Sequence, residues 1–300
     1  MKTKTYLFAL MAMAFTLGSC SDNENGIGSE TSKYITVSTS IGNMTRVATD
    51  ANGGQTFEEG DEISVYAWTG DATVAPETRE RVVNNAINKL TNGSWVSTPQ
   101  MLWKNNRDKH YFIGVYPISA ISDLSAGEYT FDETKQVESD LLVAVNKDGL
   151  SYNVDEQQPV PLTFTHVMAK LVVNLTYKNQ WGGIPTVEKV VVGNAAKEAT
   201  INYLTKVVTP STTAKEDFSL PEITENTKYV SVIIPQEEVK QLTIVIDGKN
   251  FVYDNGTPFK LESGKITTVN LEVGRDEIKL GDVKITDWED GSTFSGEAIN

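Results

Sequence analysis

An apolar–polar alternation of period two, repeated in short runs between turn residues, restricts this chain more than any other feature. In Tyr34–Ile41, Ile35, Val37 and Ile41 fall on one face, with Tyr34, Thr36, Ser38 and Ser40 opposite. Ile63, Val65 and Ala67 alternate with Ser64, Tyr66 and Trp68, and Val269, Leu271 and Val273 repeat the pattern late in the chain. His110–Tyr116, Lys228–Ile234, Leu242–Ile246 and Lys265–Val273 are further β-rich runs. Successive strand side chains point to opposite faces, so each alternating run reads as a strand with one face on a core. Glu59-Gly60-Asp61, Asn92-Gly93, Asp247-Gly248, Asp254-Asn255-Gly256 and Ser263-Gly264 supply turns between them. Val83, Ile87 and Leu90 fit a short helix or a strand, and the asparagines among them are poor helix formers. Short strands joined by turns predict an all-β chain of packed antiparallel sheets.

A change of parity interrupts this pattern once. Val160, Leu162 and Phe164 are apolar at even positions, whereas Leu171, Val173, Leu175 and Tyr177 are apolar at odd ones. A straight strand cannot exchange the face it buries, so a bulge, a bend or a passage between two sandwiches lies near His166–Ala169. The passage divides the chain into strand-rich halves, 47–166 and 167–300.

The N-terminus reads differently. Lys2 and Lys4 precede Tyr6–Leu17, an apolar run of 12 residues. A membrane-spanning helix needs about 20 such residues, and a secretory signal core needs fewer. The run ends in Leu17-Gly18-Ser19-Cys20, which resembles a bacterial lipobox. Residues 1–19 are therefore expected to be a lipoprotein signal peptide, with Cys20 as the acylated first residue. Loss of Lys2 and Lys4 would take the net charge from −14 to −16. The polar, acidic stretch Ser21–Ser29 reads as a tether.

Composition and motif content leave little room for chemistry. A net charge of −14 offers no face for phosphates, which excludes a nucleic-acid partner. One cysteine and two histidines supply neither a disulfide framework nor a histidine-rich metal site. Glu58-Glu59 and Asp61-Glu62 sit on a turn entering a strand and read as solvated, not as a hydrolytic carboxylate pair. His166 shares the parity of Phe164 and reads as a hydrogen-bonded core histidine; His110 opens a strand with no partner motif. No phosphate loop, nucleophile elbow or Cys-x-x-Cys occurs. The expectation is no enzyme, with no catalytic residue, no metal ligand and no cofactor. Trp68, Trp95, Trp103 and Trp181 open a second reading, a monomeric, lipid-anchored surface protein that binds glycans on aromatic faces.

Spread along the chain are Thr45-Arg46, Phe57–Tyr66 (FEEGDEISVY), Tyr116-Pro117, Asp140–Ala144 (DLLVA), Leu162–Leu171 (LTFTHVMAKL) and Ile285–Trp288 (ITDW). In order and spacing these segments resemble the fimbrillin family, which builds type V pili of Gram-negative bacteria. The resemblance implies two transthyretin-like β-sandwiches in tandem and a structural, adhesive role in a fimbrium on the outer membrane. Arg46 matches the arginine after which a trypsin-like protease cuts in that family, so the mature chain would start at Val47 and residues 20–46 would be a propeptide. Ile35, Val37 and Ile41 would leave with it and vacate an apolar slot. By position and by the same resemblance, Glu277–Trp288 is the donor strand that refills such a slot in a neighbour, through Ile278, Leu280, Val283, Ile285 and Trp288. The implied partners are other fimbrial subunits, an arginine-specific protease, the outer membrane through lipid, and a host or glycan ligand.

Overall fold

The structure is a computed structural model, and it describes residues 33–42, 56–153 and 158–288. Cys20, Arg46 and Val47 lie outside them. The first half contributes β1 (Val37–Ile41), β2 (Glu62–Thr69), β3 (Arg81–Thr91), β4 (Ser94–Thr98), β5 (His110–Tyr116), β6 (Gly127–Thr130), β7 (Leu142–Leu150) and β8 (Val160–His166). From Ala169 follow β9 (Ala169–Tyr177), β10 (Val187–Ala196), β11 (Glu198–Asn202), β12 (Val207–Pro210), β13 (Lys215–Ser219) and β14 (Glu222–Thr224). The last five are β15 (Lys228–Ile233), β16 (Gln236–Ile246), β17 (Lys249–Leu261), β18 (Lys265–Val273) and β19 (Ile278–Asp287). The chain is all-β with sheets packed face to face, in agreement with the alternation.

Seven strands in the order β1-β8-β7-β5-β2-β3-β4 form the largest sheet. Its two faces serve two cores. Ile63, Val65 and Ala67 of β2 join Phe112, Leu162 and Phe164 in one core, whereas Tyr66 and Trp68 turn to the larger core shared with β9, β10, β16 and β18. The sheet curls until its edges meet: Ile35 N–H donates to the Met101 carbonyl at 2.9 Å and Trp103 N–H to the Lys33 carbonyl at 3.1 Å. Residues 33–35 thus bond the stretch after β4, and residues 36–42 bond β8.

At the parity change the chain leaves β8 of this sheet and enters β9 of a five-stranded sheet, β14-β15-β9-β18-β19. Val167 and Met168, at the crossing, are fully buried. Opposite lies β13-β10-β16-β17. A third small sheet, β12-β11-β6, joins the halves, because β6 of the first pairs with β11 of the second.

Two features depart from the sequence expectations. β1–β8 and β9–β18 are parallel pairs inside sheets expected to be antiparallel. Turn residues report hairpins, and these partners are joined through other strands instead. Asp254-Asn255-Gly256, read as a hairpin turn, lies inside β17. There the register passes from Gln241↔Asp254 to Val239↔Phe259, so the extra residues are absorbed as a bulge. Val83, Ile87 and Leu90 belong to a strand, β3.

Burial of phenol groups gives the fold a pH signature. Burial pushes Tyr116 up to about 12, aided by the negative charge of Asp61, and raises Tyr66, Tyr129, Tyr177, Tyr203 and Tyr229. A phenol whose folded pKa exceeds its unfolded value near 10 holds its proton longer in the folded state. Stability is then full below about pH 10 and falls as pH rises above it. Phenolate absorbance should therefore show these tyrosines ionising together with unfolding; smooth ionisation of all 11 tyrosines near pH 10 in a folded protein would contradict it.

Candidate strand-exchange site

The residues singled out in the first and last strands fall at two sheet edges. β1 ends the seven-stranded sheet, pairing with β8 from Val37↔Val160 to Ile41↔Phe164. Ile35, Val37 and Ile41 are 1%, 6% and 8% exposed, all three in the core that holds Phe112, Leu162 and Phe164. Among the described residues no main chain pairs with the outer edge of β1. A cleft of about 690 Å³ runs along it instead, floored by Phe57, Leu90 and Trp95. The Trp95 indole N–H crosses that cleft to the Thr39 hydroxyl at 3.0 Å.

β19 ends the five-stranded sheet and, among the described residues, pairs with β18 alone. The ladder runs Leu271↔Leu280 and then Asn270↔Asp282, which leaves Gly281 as an extra residue. Without that bulge the spacing 278, 280, 283, 285 would split between two faces. With it, Ile278, Leu280, Val283 and Ile285 all oppose the inward residues Val273, Leu271, Val269 and Thr267. Their burial is incomplete: Val283 is 36% and Ile285 38% exposed. Trp288 follows β19 and stacks on His166 with ring centroids 4.0 Å apart and planes within 5°. His166 Nδ1 lies 2.8 Å from Asp140 Oδ1, as suits a hydrogen-bonded core histidine.

The two ends converge. Ile41 and Trp288 line one cleft of about 440 Å³, together with Phe57, Tyr116, Asp140 and Lys170. Sequence reasoning placed Trp288 in the last strand but not its contact with His166. The quoted motifs that contain them carry no signal of pairing, since a strand pattern fixes parity and not long-range neighbours.

The remaining candidates have structural employment. Asp61 accepts the Glu58 N–H at 2.7 Å and the Tyr116 hydroxyl at 3.2 Å, which closes the turn before β2. Glu59 accepts the Asn92 N–H at 2.8 Å, and Glu62 pairs with Lys89 at 3.1 Å. His110 is fully buried, and burial lowers its pKa. Its Nε2 accepts the Lys104 N–H, so the proton sits on Nδ1, facing the Asp108 carbonyl. Trp68 and Trp181 donate to the carbonyls of Asp71 and Val273, and Trp103 packs edge-on against His110 and Phe112. Among the described residues no His, Cys, Asp and Glu cluster has the makings of a metal site.

This arrangement has relatives. A candidate cell adhesion protein from Bacteroides uniformis superposes with a TM-score of 0.64 at 19% identity, covering 86% of this chain and 100% of its own. A second, from Bacteroides ovatus, gives 0.65 at 18%, covering 85% and 98%. A fimbrial protein from Bacteroides vulgatus gives 0.52 at 13%, covering 84% and 99%. At such identities the likeness establishes the fold. No curated protein matches the sequence. The sequence model of fimbrillin-like proteins matches residues 45–288, from Thr45-Arg46 through β2–β19 to the Trp288 signature, with β1 lying before the match, and the chain therefore belongs to the fimbrillin-like family.

Proposed function

We propose that this protein is a structural subunit of a cell-surface fimbria, exported as a lipoprotein on Cys20, cut after Arg46 and polymerised by strand exchange. The reading divides the mature chain from Val47 into sandwiches 47–166 and 167–300. Cleavage at Arg46–Val47 detaches β1 covalently, and the departure of Ile35, Val37 and Ile41 opens an apolar slot beside β8. β19 of a neighbour, with Ile278, Leu280, Val283, Ile285 and Trp288, fills it. The contact is head-to-tail and heterologous, so it propagates instead of closing. Acyl chains on Cys20 hold the precursor at the outer membrane until the cut.

The observation that carries this reading is the placement of residues 35–41: β1 is an edge strand laddered to β8, and it and the residue pair before it bring Ile35, Val37 and Ile41 into the core upstream of an arginine. A vacated edge of this kind is a template for another strand. Trp68 is buried, and Trp95, Trp103 and Trp181 are partly buried and each engaged by a hydrogen bond or ring contact, which lends the glycan-binding reading no particular support.

The test is direct. Purified residues 20–300 are treated with an arginine-specific protease, sequenced from the N-terminus and imaged by electron microscopy, beside a variant truncated after Asp276. Fibres should form only from the cleaved protein with its full C-terminus. Equal polymerisation with and without that C-terminus would refute β19 as donor. Monomers despite complete cleavage at Arg46 would count against self-assembly.

A further inference from the structure

The cleft shared by Ile41 and Trp288 joins the two edge strands physically. β8 grips both. Its Phe164 lies opposite Ile41 and accepts the Gly42 N–H at 2.8 Å, and two residues on, His166 stacks on Trp288. Behind the stack, Asp140 fixes the imidazole, and the Lys170 ammonium lies 5.3 Å from the Trp288 ring centre. His166 and Lys170 are 8% and 4% exposed, so Trp288 packs against two buried polar groups. Its own indole N–H is buried without a hydrogen-bond partner among the described residues. A buried donor left unsatisfied carries a desolvation penalty. Trp288 is thus an anchor held by packing and stacking against a built-in opposing cost, at the end of a strand whose Val283 and Ile285 are more than a third exposed.

We infer that this is a latch: β1, acting through the end of β8, keeps Trp288 docked, and loss of β1 loosens β19 from its own sheet. Ile41 forms one wall of the cleft and lies opposite Phe164, so its removal leaves the end of β8 that carries His166 held in its sheet by β7 alone. Coupling between two sites is reciprocal, so undocking Trp288 weakens the hold on β1 by the same factor. The significance of the latch rests on the strand-exchange reading, because it would keep the donor sheathed until the first strand has gone. Its existence does not depend on that reading.

The experiment reads hydrogen exchange of the 278–287 amides in monomers isolated by size exclusion, so polymerisation plays no part. We compare residues 20–300 with a chain expressed from Val47 to Asn300. Exchange in β19 should be about tenfold faster without β1 and should slow again when a peptide of residues 33–42 is added. In the intact chain Trp288→Ala should reproduce the acceleration, and Ile41→Ala should give part of it. Trp288→Phe, which keeps a ring on His166 and removes the orphan N–H, should exchange no faster than the parent. Equal β19 exchange with and without β1, or in Ile41→Ala and the parent should the shorter chain not fold, would overturn the latch. Fibres forming with the latch absent would leave strand exchange standing, and a working latch in a chain that never polymerises would do the reverse.

Discussion

A chain that starts at Val47 is expected to be much less stable than one that retains β1, and a free peptide of residues 33–42 is expected to restore it. Full burial of an aliphatic side chain contributes about 1.5–3 kcal/mol, so Ile35, Val37 and Ile41 together supply roughly 5–9 kcal/mol as an upper figure. That is comparable with the whole stability of an ordinary domain, about 5–15 kcal/mol. The β8 edge and the Met101–Trp103 stretch also lose main-chain partners. For a protein of this size each kcal/mol moves the midpoint by roughly 2–4 °C, so Tm should fall by about 10 °C or more. The peptide should raise it again in a saturable manner, as any ligand of the folded state does. A peptide with aspartate in place of Ile35 and Val37 should not. An unchanged midpoint in the Val47 chain would mean that β1 lies on the sheet without supporting it.

The second large effect sits beneath that strand. Gly114, in the middle of β5, faces the Phe164 ring so closely that a Cβ there would lie 2.6 Å from Phe164 Cζ and 3.1 Å from Leu162 Cδ1. The Phe164 ring also meets Phe57 edge-on at 5.1 Å. Phe164→Ala should cost about 3–5 kcal/mol, the range for a buried aromatic truncated to a cavity. Gly114→Ala should cost about 1–3 kcal/mol by overpacking. Because the methyl group of the second fills space vacated by the first, the double variant should lose less than the sum. Urea unfolding of the four proteins measures this. Strict additivity would show that the ring and the glycine do not share the space the coordinates assign them.

Legibility in the sequence follows from what alternation encodes. β5 and β18 coincide with the runs His110–Tyr116 and Lys265–Val273, because parity fixes which residues meet a core. Ile35, and Val37 and Ile41 of β1, were legible for the same reason. Pairing was not. The parallel partners of β1 and β9 depend on contacts 123 and 96 residues away, which no local turn announces. Asp254-Asn255-Gly256 carries turn chemistry yet is held inside a long strand by the ladder on either side of the bulge. The Trp288–His166 stack joins two positions whose local patterns say only strand and core.

The β6–β11 ladder carries a mechanical consequence. Four residue pairs link the halves there, and the bonds continue on both sides from Phe131 N–H to the Lys197 carbonyl and from Tyr203 N–H to the Leu124 carbonyl. The Tyr203 ring packs onto Gly127 so tightly that no side chain fits at that glycine. A pull between β1 and β19 therefore cannot stretch the halves apart about a slack hinge. It loads this cross-linking ladder instead. A filament of such units would transmit traction as a series of stiff links, with its compliance confined to the joints between them.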